Sequence, residues 1–185
     1  SLGKNALAFH ELRELEAAGV LDAGQRALLA ERLSNCCRCL GEMKRAEAYA
    51  ESAIGQARAL GDSRTAAYAL SARAGAAIDQ EQWEIAYAYL MESLAAYRDG
   101  KERASQLVPS PSFEAVALLM LAECSLQLKN VPRARRLTSA AKRMSEEHDL
   151  PLGLAYSELL LGWIDEGAGD GERALKRWRR AIVLS

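Results

Sequence analysis

The chain has 185 residues, 50% of them hydrophobic and 26% charged, with a formal net charge of −1 at pH 7. This near-neutral balance argues against a broad nucleic-acid surface, which shows as a basic excess, and the apolar fraction argues against disorder. The 35 Ala and 28 Leu against only 4 Pro favour helices over strands. Because no apolar run reaches the ~20 residues that span a bilayer and no signal peptide is visible, we expect an intracellular protein, cytoplasmic or nuclear, that contacts no membrane.

Start and stop signals divide the chain into about nine predicted helices. Asp22 with Gln25 forms a capping-box signal for a helix running to about residue 40. Gly41 and Gly61 stand at predicted helix ends, where glycine is the common cap. Further helix starts are predicted at Ser63, Asn130 and Asp170.

We predict a single all-α domain over residues 1–185. Its segments are a lone helix at 4–18, helix pairs at 22–61, 63–104, 113–148 and 151–185, and a longer loop at 105–112. The loop contains Pro109 and Pro111, which a continuous helix cannot cross. A boundary between two domains at this loop is the alternative.

A repeat is visible in the spacing of small residues. Four alanines that open the predicted second helices are 40, 48 and 40 residues apart: Ala46, Ala86, Ala134 and Ala174. Small residues also lie twelve positions before these alanines, at Ser34, Ala74, Ala122 and Gly162, and seven positions after them, at Ala53, Ser93, Ala141 and Ala181. Because helix axes approach closely only where side chains are small, we expect helices to touch at these positions.

This pattern resembles the tetratricopeptide repeat (TPR), in which each unit is a pair of antiparallel helices. The resemblance covers nearly the whole chain and implies a right-handed superhelical α-solenoid. The period of 40 exceeds the ~34 of the common form, as in spindle-orientation adaptors, kinesin light chains and the sensor domains of some bacterial transcription regulators. Two departures are Asp165, where the repeat often has an aromatic residue, and Arg73, at a normally apolar site.

The first and last predicted helices lack the neighbours that a solenoid normally supplies. The first predicted helix, at 4–18, lacks a preceding partner, and residues 181–185 finish the last pair with no polar capping helix. Terminal repeats need a polar outer face for solubility. We therefore expect that the chain is a piece of a longer protein, or that its ends pair with another chain.

Residues suited to catalysis or metal binding are sparse. The two histidines, His10 and His148, lie far apart, and the glycines at 167–171 lack the Lys of a phosphate loop. Three of the four cysteines fall at 36–39, where at most two could share a zinc ion. We interpret Cys37 as a buried apolar residue in a reducing compartment, and we expect no enzyme activity, cofactor or metal.

Basic residues are concentrated on the second helices of the last two repeats. They are Arg133, Arg135, Arg136, Lys142 and Arg143, followed by Lys176, Arg177, Arg179 and Arg180. The favoured interpretation is a solvated outer face, since carboxylates such as Glu146 and Glu172 lie nearby. A patch that meets phosphate or an acidic partner is the alternative.

The resemblance places a binding surface on the inner face of the first helices. The candidate partner-binding residues are Arg32, Asn35, Tyr68, Leu119, Met120, Glu123, Tyr156, Leu159 and Trp163. Asn35 stands where long-repeat adaptors carry an asparagine that holds a peptide backbone through its amide. Glu31, Ser71 and Leu119 occupy the positions of the carboxylate clamp of chaperone-binding relatives, which disfavours an acidic C-terminal peptide on this face.

This predicted surface is polar near the N-terminus and apolar near the C-terminus, where Tyr156 and Trp163 lie. Aromatic residues and Met are enriched at protein contacts, so the surface suits an apolar helix or a mixed extended peptide. The alternative is that these side chains pack on further repeats or on the long loop.

Three functional hypotheses follow. The first is a non-enzymatic scaffold or adaptor that binds a peptide or helix of another protein in its concave groove. The second is a sensory domain of a larger signalling or transcription-regulatory protein that binds a small ligand or signal peptide. The third is a structural subunit of a multi-protein complex, including self-association through the solenoid ends.

Overall fold

The structure is a computed structural model that describes residues 2–103 and 110–184. This part of the chain contains nine α-helices and no strand: α1 (Leu2–Ala17), α2 (Ala23–Cys39), α3 (Met43–Ala59), α4 (Ser63–Ile78), α5 (Trp83–Arg103), α6 (Pro111–Gln127), α7 (Val131–Glu147), α8 (Pro151–Gly167) and α9 (Gly171–Leu184). None of these helices is long and apolar enough to cross a bilayer. The fold class predicted from composition and periodicity is therefore confirmed as all-α and built of helix pairs.

The helices form two compact units, unit 1 with α1–α5 and unit 2 with α6–α9. Most of the predicted loop, at 105–109, lies outside the described residues, as does Ser185, and α6 begins at Pro111. The grouping of all repeats into one domain stays a prediction.

The predicted small positions are helix contacts in both units. In unit 1, the Ser34 hydroxyl on α2 donates to the Ala46 carbonyl on α3 at 2.7 Å, and Ala74 and Ala86 are fully buried. In unit 2, Gly162 is buried on α8, and a Cβ there would overlap the Trp178 indole on α9. At these positions the small side chains are therefore buried where neighbouring helices contact each other.

Most of the predicted helix caps are present. Asp22 and Gln25 form the reciprocal capping box of α2. The side chains of Asn130 and Asp170 accept hydrogen bonds from backbone N–H groups three residues later. One prediction is wrong: Asp62, not Ser63, caps α4, because its carboxylate accepts from the Thr65 N–H at 3.0 Å while Ser63 already lies in the helix.

A residue in the left-handed conformation follows seven of the helices, at a spacing of 20 positions from 41 to 81 and again from 129 to 169. Glycine takes this conformation at 19, 41, 61 and 169, with φ between 65° and 82°. Glu81, Lys129 and Asp149 take it as well, with φ of 58°, 61° and 50°. Because only glycine adopts this region without a steric penalty, the residue types at these three positions gave no signal of the left-handed conformation.

Two of the departures from the repeat pattern, Arg73 and Asp165, are ion-pair sites. Arg73 on α4 is within 3.1 Å of Glu47 and 3.2 Å of Glu51, both on α3, and its guanidinium lies 5.1 Å from the Tyr89 ring centroid. Asp165 on α8 is buried and paired with basic residues of α7 and α9. A charge replaces an apolar side chain where the neighbouring helices supply its partner.

Candidate functional site

In unit 1, the middle of α2 and the start of α4 enclose a cavity of about 350 Å³. It is lined by Leu28, Arg32, Arg64, Thr65 and Tyr68. The Arg64 guanidinium lies 6.0 Å from the Tyr68 ring centroid, at the limit of a cation–π contact. The cavity thus brings together two of the predicted site residues, Arg32 and Tyr68, and presents two guanidinium groups beside an aromatic ring.

Asn35 lies on the same helix, α2, but does not line this cavity. Its amide nitrogen donates to the Glu31 carboxylate at 2.6 Å, so the amide is already held by a residue one turn away. Glu31 is buried, and burial raises the pKa of its carboxyl against the opposing effects of Arg32 and the Asn35 hydrogen bond. In this arrangement the Asn35 oxygen is the part of the amide left to accept a hydrogen bond from a partner.

In unit 2, the predicted residues of α6 have different surroundings. Leu119 is only 1% exposed and belongs to the core, so it contributes packing rather than contact surface. Met120 and Glu123 are half-buried. The Tyr156 hydroxyl on α8 donates to the Glu123 carboxylate at 2.6 Å and thereby ties the two first helices of this unit together. Burial, followed by this hydrogen bond, strongly raises the pKa of Tyr156.

Unit 2 also contains an apolar cavity of about 380 Å³ between α8 and α9. We call it the apolar cleft, and its lining residues are Leu152, Ala155, Tyr156, Leu159, Trp178, Ala181 and Ile182. Two of them, Tyr156 and Leu159, were predicted as site residues. Leu152 is 74% exposed and Ile182 75% exposed, so the rim of the cleft is apolar and open to solvent.

Trp163 does not line the apolar cleft. It lies near the C-terminal end of α8 and is 38% exposed, which leaves part of its ring accessible. Seven residues separate it from Tyr156 on the same helix, so the two side chains share a face two turns apart. Trp163 therefore extends the accessible aromatic surface of α8 beyond the cleft.

Several site residues were missed because they lie on unexpected elements. Trp178 and Ile182 are on α9, a second helix, whereas the resemblance directed attention to first helices. The run of apolar residues at 182–184 near the end of the chain was a signal for this surface. Arg64 carried no such signal, since an arginine in the first turn of a helix is common on any surface.

The cysteines do not form a metal site in the part of the chain that the structure describes, where no group of three or more metal-binding side chains occurs. All four are free. Cys37 is fully buried, which confirms its interpretation as an apolar core residue. Burial also raises the pKa of Cys124 to about 12, which keeps this thiol protonated at neutral pH.

No family model matches the chain, and no curated protein matches its sequence. Its structure is similar to BtubC (BKLC) from P. vanneervenii, with a TM-score of 0.76 and 22% identity over 98% of this chain and 73% of that one. It is similar to a Rap protein crystallised with Competence and Sporulation Factor, with a TM-score of 0.81 and 18% identity over 99% of this chain.

A third similar structure is the apo form of RapI, with a TM-score of 0.76 and 17% identity over 98% of this chain. The chain spans 49% of the length of each Rap protein. These matches are helical-repeat proteins of the solenoid type. At identities below 25% the similarity shows the fold alone: the chain is an all-α, TPR-like helical-repeat protein.

Proposed function

We propose that this chain is a non-enzymatic interaction module of the long-repeat TPR class that binds a peptide or helix of another protein. The observation that carries the proposal is the apolar cleft. Its rim residues Leu152 and Ile182 are about three-quarters exposed, and its walls are aliphatic and aromatic. Contiguous exposed apolar surface of this kind is typical of protein-binding sites.

The shape and chemistry of the cleft favour a partner with apolar side chains on one face. Tyr156 and Trp178 offer rigid aromatic surface that is buried at low cost in conformational entropy. Tyr156 keeps its hydroxyl bonded to Glu123, so its ring is oriented before a partner arrives. Preorganised aromatic side chains are the usual anchors of a binding interface.

The cavity of unit 1 supports a second contact with a more polar segment. Arg64 and Arg32, which also pairs with the buried Glu31 carboxylate at 3.3 Å, supply guanidinium groups, and Tyr68 supplies an aromatic face. Asn35 lies outside the cavity on the same helix, α2, where its amide oxygen can accept from a peptide N–H. A segment bound in this cavity would therefore carry carboxylate or carbonyl groups.

The test is a selection of binders from a displayed library of peptides, followed by binding measurements with purified chains. Leu152→Lys with Ile182→Lys places charges on the exposed rim and should abolish binding of the selected peptides. Val183→Lys is the matched control, because Val183 is 85% exposed beside Ile182 but does not line the cleft. Selected peptides that bind the double variant and the wild type equally would refute the proposal, as would the absence of any binder.

A sensory role within a larger signalling protein is a second candidate. It is favoured by the similarity to the Rap protein that was crystallised with Competence and Sporulation Factor. In that role, the cavity lined by Arg32 and Tyr68 would take the signal molecule. Retained peptide binding in a Tyr68→Ala variant, with loss in the Leu152→Lys variant, would favour the scaffold role over the sensory one.

A further inference from the structure

A second surface of unit 2 lies between α7 and α9, and the proposed function does not use it. This basic groove has a volume of about 930 Å³ and is lined by Pro132, Arg135, Arg136, Ser139, Lys142, Arg143, Glu146, Leu161 and Arg177. Five of these nine residues are cations. The groove thus gathers part of the basic runs seen in the sequence onto one concave surface.

Two buried carboxylates of α8 pair with the cations of the groove. Glu158 and Asp165 have side chains only 2% exposed. Arg177 bridges them, at 3.0 Å from Glu158 and 2.6 Å from Asp165. Lys142 lies 2.7 Å from Glu158, and Arg135 lies 3.0 Å from Asp165.

These carboxylates are ionised at neutral pH. Burial alone would raise the pKa of Glu158, but hydrogen bonds from Lys142 and Arg177 outweigh it and hold the pKa below its usual value. Burial would likewise raise the pKa of Asp165, and hydrogen bonds from Arg177 and Arg135 lower it. Arg135, Lys142 and Arg177 are therefore committed to holding α8 against α7 and α9, which is a structural task.

Arg136 and Arg143 are the cations left over. Both are exposed, and neither forms an ion pair with any residue that the structure describes. They are seven residues apart on α7, so they share one face at a separation of about 10.5 Å along the helix axis. The groove lining and the two buried carboxylates together carry five cations and three anions, which leaves an excess of two positive charges.

We propose that the basic groove binds an acidic segment of a partner protein, with Arg136 and Arg143 pairing with its carboxylates. A guanidinium matches a carboxylate in a planar, bidentate geometry. Carboxylates two turns apart on a helix, or three residues apart on an extended chain, have the spacing of the two arginines. The excess of positive charge attracts such a segment, and it also favours rapid association.

A nucleic acid fits the groove less well. Glu146 lines one end of it and is only loosely paired, at 3.8 Å from Lys142. The Glu146 carboxylate would repel a continuous phosphate backbone that passes it. A peptide can instead place a neutral or basic residue there. The near-neutral charge of the whole chain also lacks the basic excess of nucleic-acid-binding proteins.

The test uses the full chain and a fluorescein-labelled helical peptide with Glu pairs spaced two turns apart, followed by fluorescence anisotropy at low and physiological ionic strength. Arg136→Gln with Arg143→Gln should weaken binding about tenfold or more and reduce its salt dependence. Arg173→Gln with Lys176→Gln is the matched control, since it removes the same charge from exposed positions of α9 that do not line the groove. The control variant should bind like the wild type.

Several outcomes would overturn the proposal: no binding of the Glu peptide to the wild type, or an equal loss in the control variant. Tighter binding of inorganic polyphosphate or single-stranded DNA than of the Glu peptide, with the same dependence on Arg136 and Arg143, would overturn it in favour of a phosphate ligand. Circular dichroism and thermal melting show whether each variant keeps its fold. The Leu152→Lys, Ile182→Lys variant should still bind the Glu peptide, so this proposal and the proposed function fail independently.

Discussion

Gly162 offers the sharpest test of how the helices of unit 2 are packed. It lies in the interior of α8, where glycine costs about 1 kcal/mol relative to alanine in intrinsic helix propensity. A substitution Gly162→Ala should therefore stabilise the chain if propensity alone decided the outcome. The structure predicts the opposite, because an added Cβ would overlap the Nε1, Cδ1 and Cε2 atoms of the Trp178 ring.

The size of the effect follows from these two opposing contributions. Inserting a methyl group into a packed contact costs about 1–3 kcal/mol through displaced side chains and backbone. After subtraction of the propensity gain, we expect Gly162→Ala to lower the free energy of unfolding by about 1 kcal/mol. For a chain of this length, that corresponds to a melting temperature lower by about 2–4 °C.

Gly55→Ala on α3 is the matched control. Gly55 is also a helix-interior glycine, but its added Cβ would meet no atom within 4 Å. We expect this variant to be more stable than the wild type by about 0.5–1 kcal/mol. The two variants therefore share the same chemical change and are predicted to differ in sign.

Chemical denaturation followed by circular dichroism measures the stability of both variants. The double variant Gly162→Ala, Trp178→Leu tests the cause directly, since a smaller side chain at 178 should relieve the overlap. A coupling energy near zero in this double-mutant cycle would show that the two residues do not interact. If Gly162→Ala stabilised the chain as much as Gly55→Ala, the packing argument would be refuted.

Two further predictions concern helix ends and ion pairs. Lys129→Gly should stabilise unit 2 by about 1 kcal/mol in chemical denaturation, because Lys129 holds φ at 61° where a side chain is strained; no gain would contradict this. The pKa values of Glu158 and Asp165 are lowered in the folded state. The two carboxylates therefore stabilise the fold at pH values above about 4, where they are also ionised in the unfolded chain. This stabilisation is lost as the pH falls through their folded-state pKa values. Arg177→Met should lower the free energy of unfolding by about 3 kcal/mol at neutral pH. It should also make the denaturation midpoint less sensitive to acid than that of the wild type. An unchanged acid dependence would count against the ion-pair network.

The helical fold could be predicted from the sequence because the signals that specify its helices are local. Capping residues such as Asp22 and Asn130 act within three positions of the chain, and small residues such as Ala46 recur at the repeat period. These signals do not depend on distant parts of the molecule. The helix ends at Glu81 and Lys129 were less accessible, since their left-handed conformation is imposed by the helices on either side rather than by residue type.

The candidate sites could be predicted only in part from the sequence. Position in the repeat identified Tyr156 and Leu159, which line the apolar cleft, and Arg32 and Tyr68, which share a cavity. Position in the repeat also selected Leu119, which is buried. The same repeat position can face solvent or a neighbouring helix, depending on what packs against it. The apolar run at 182–184 was a signal for an exposed apolar surface on α9, but the contact between α8 and α9 that forms the cleft is not encoded by a local pattern.

By itself, the sequence determined that this protein is all-α, where most of its helices begin and end, and which residues let neighbouring helices touch. Only the tertiary structure decided which basic side chains are held in ion pairs and which can meet a partner. Arg135 and Arg136 are adjacent and chemically identical, yet the first pairs with buried Asp165 while the second has no ion-pair partner in the described chain. The physical reason is that Asp165 lies 30 residues away along the chain and reaches Arg135 only after α8 has packed against α7.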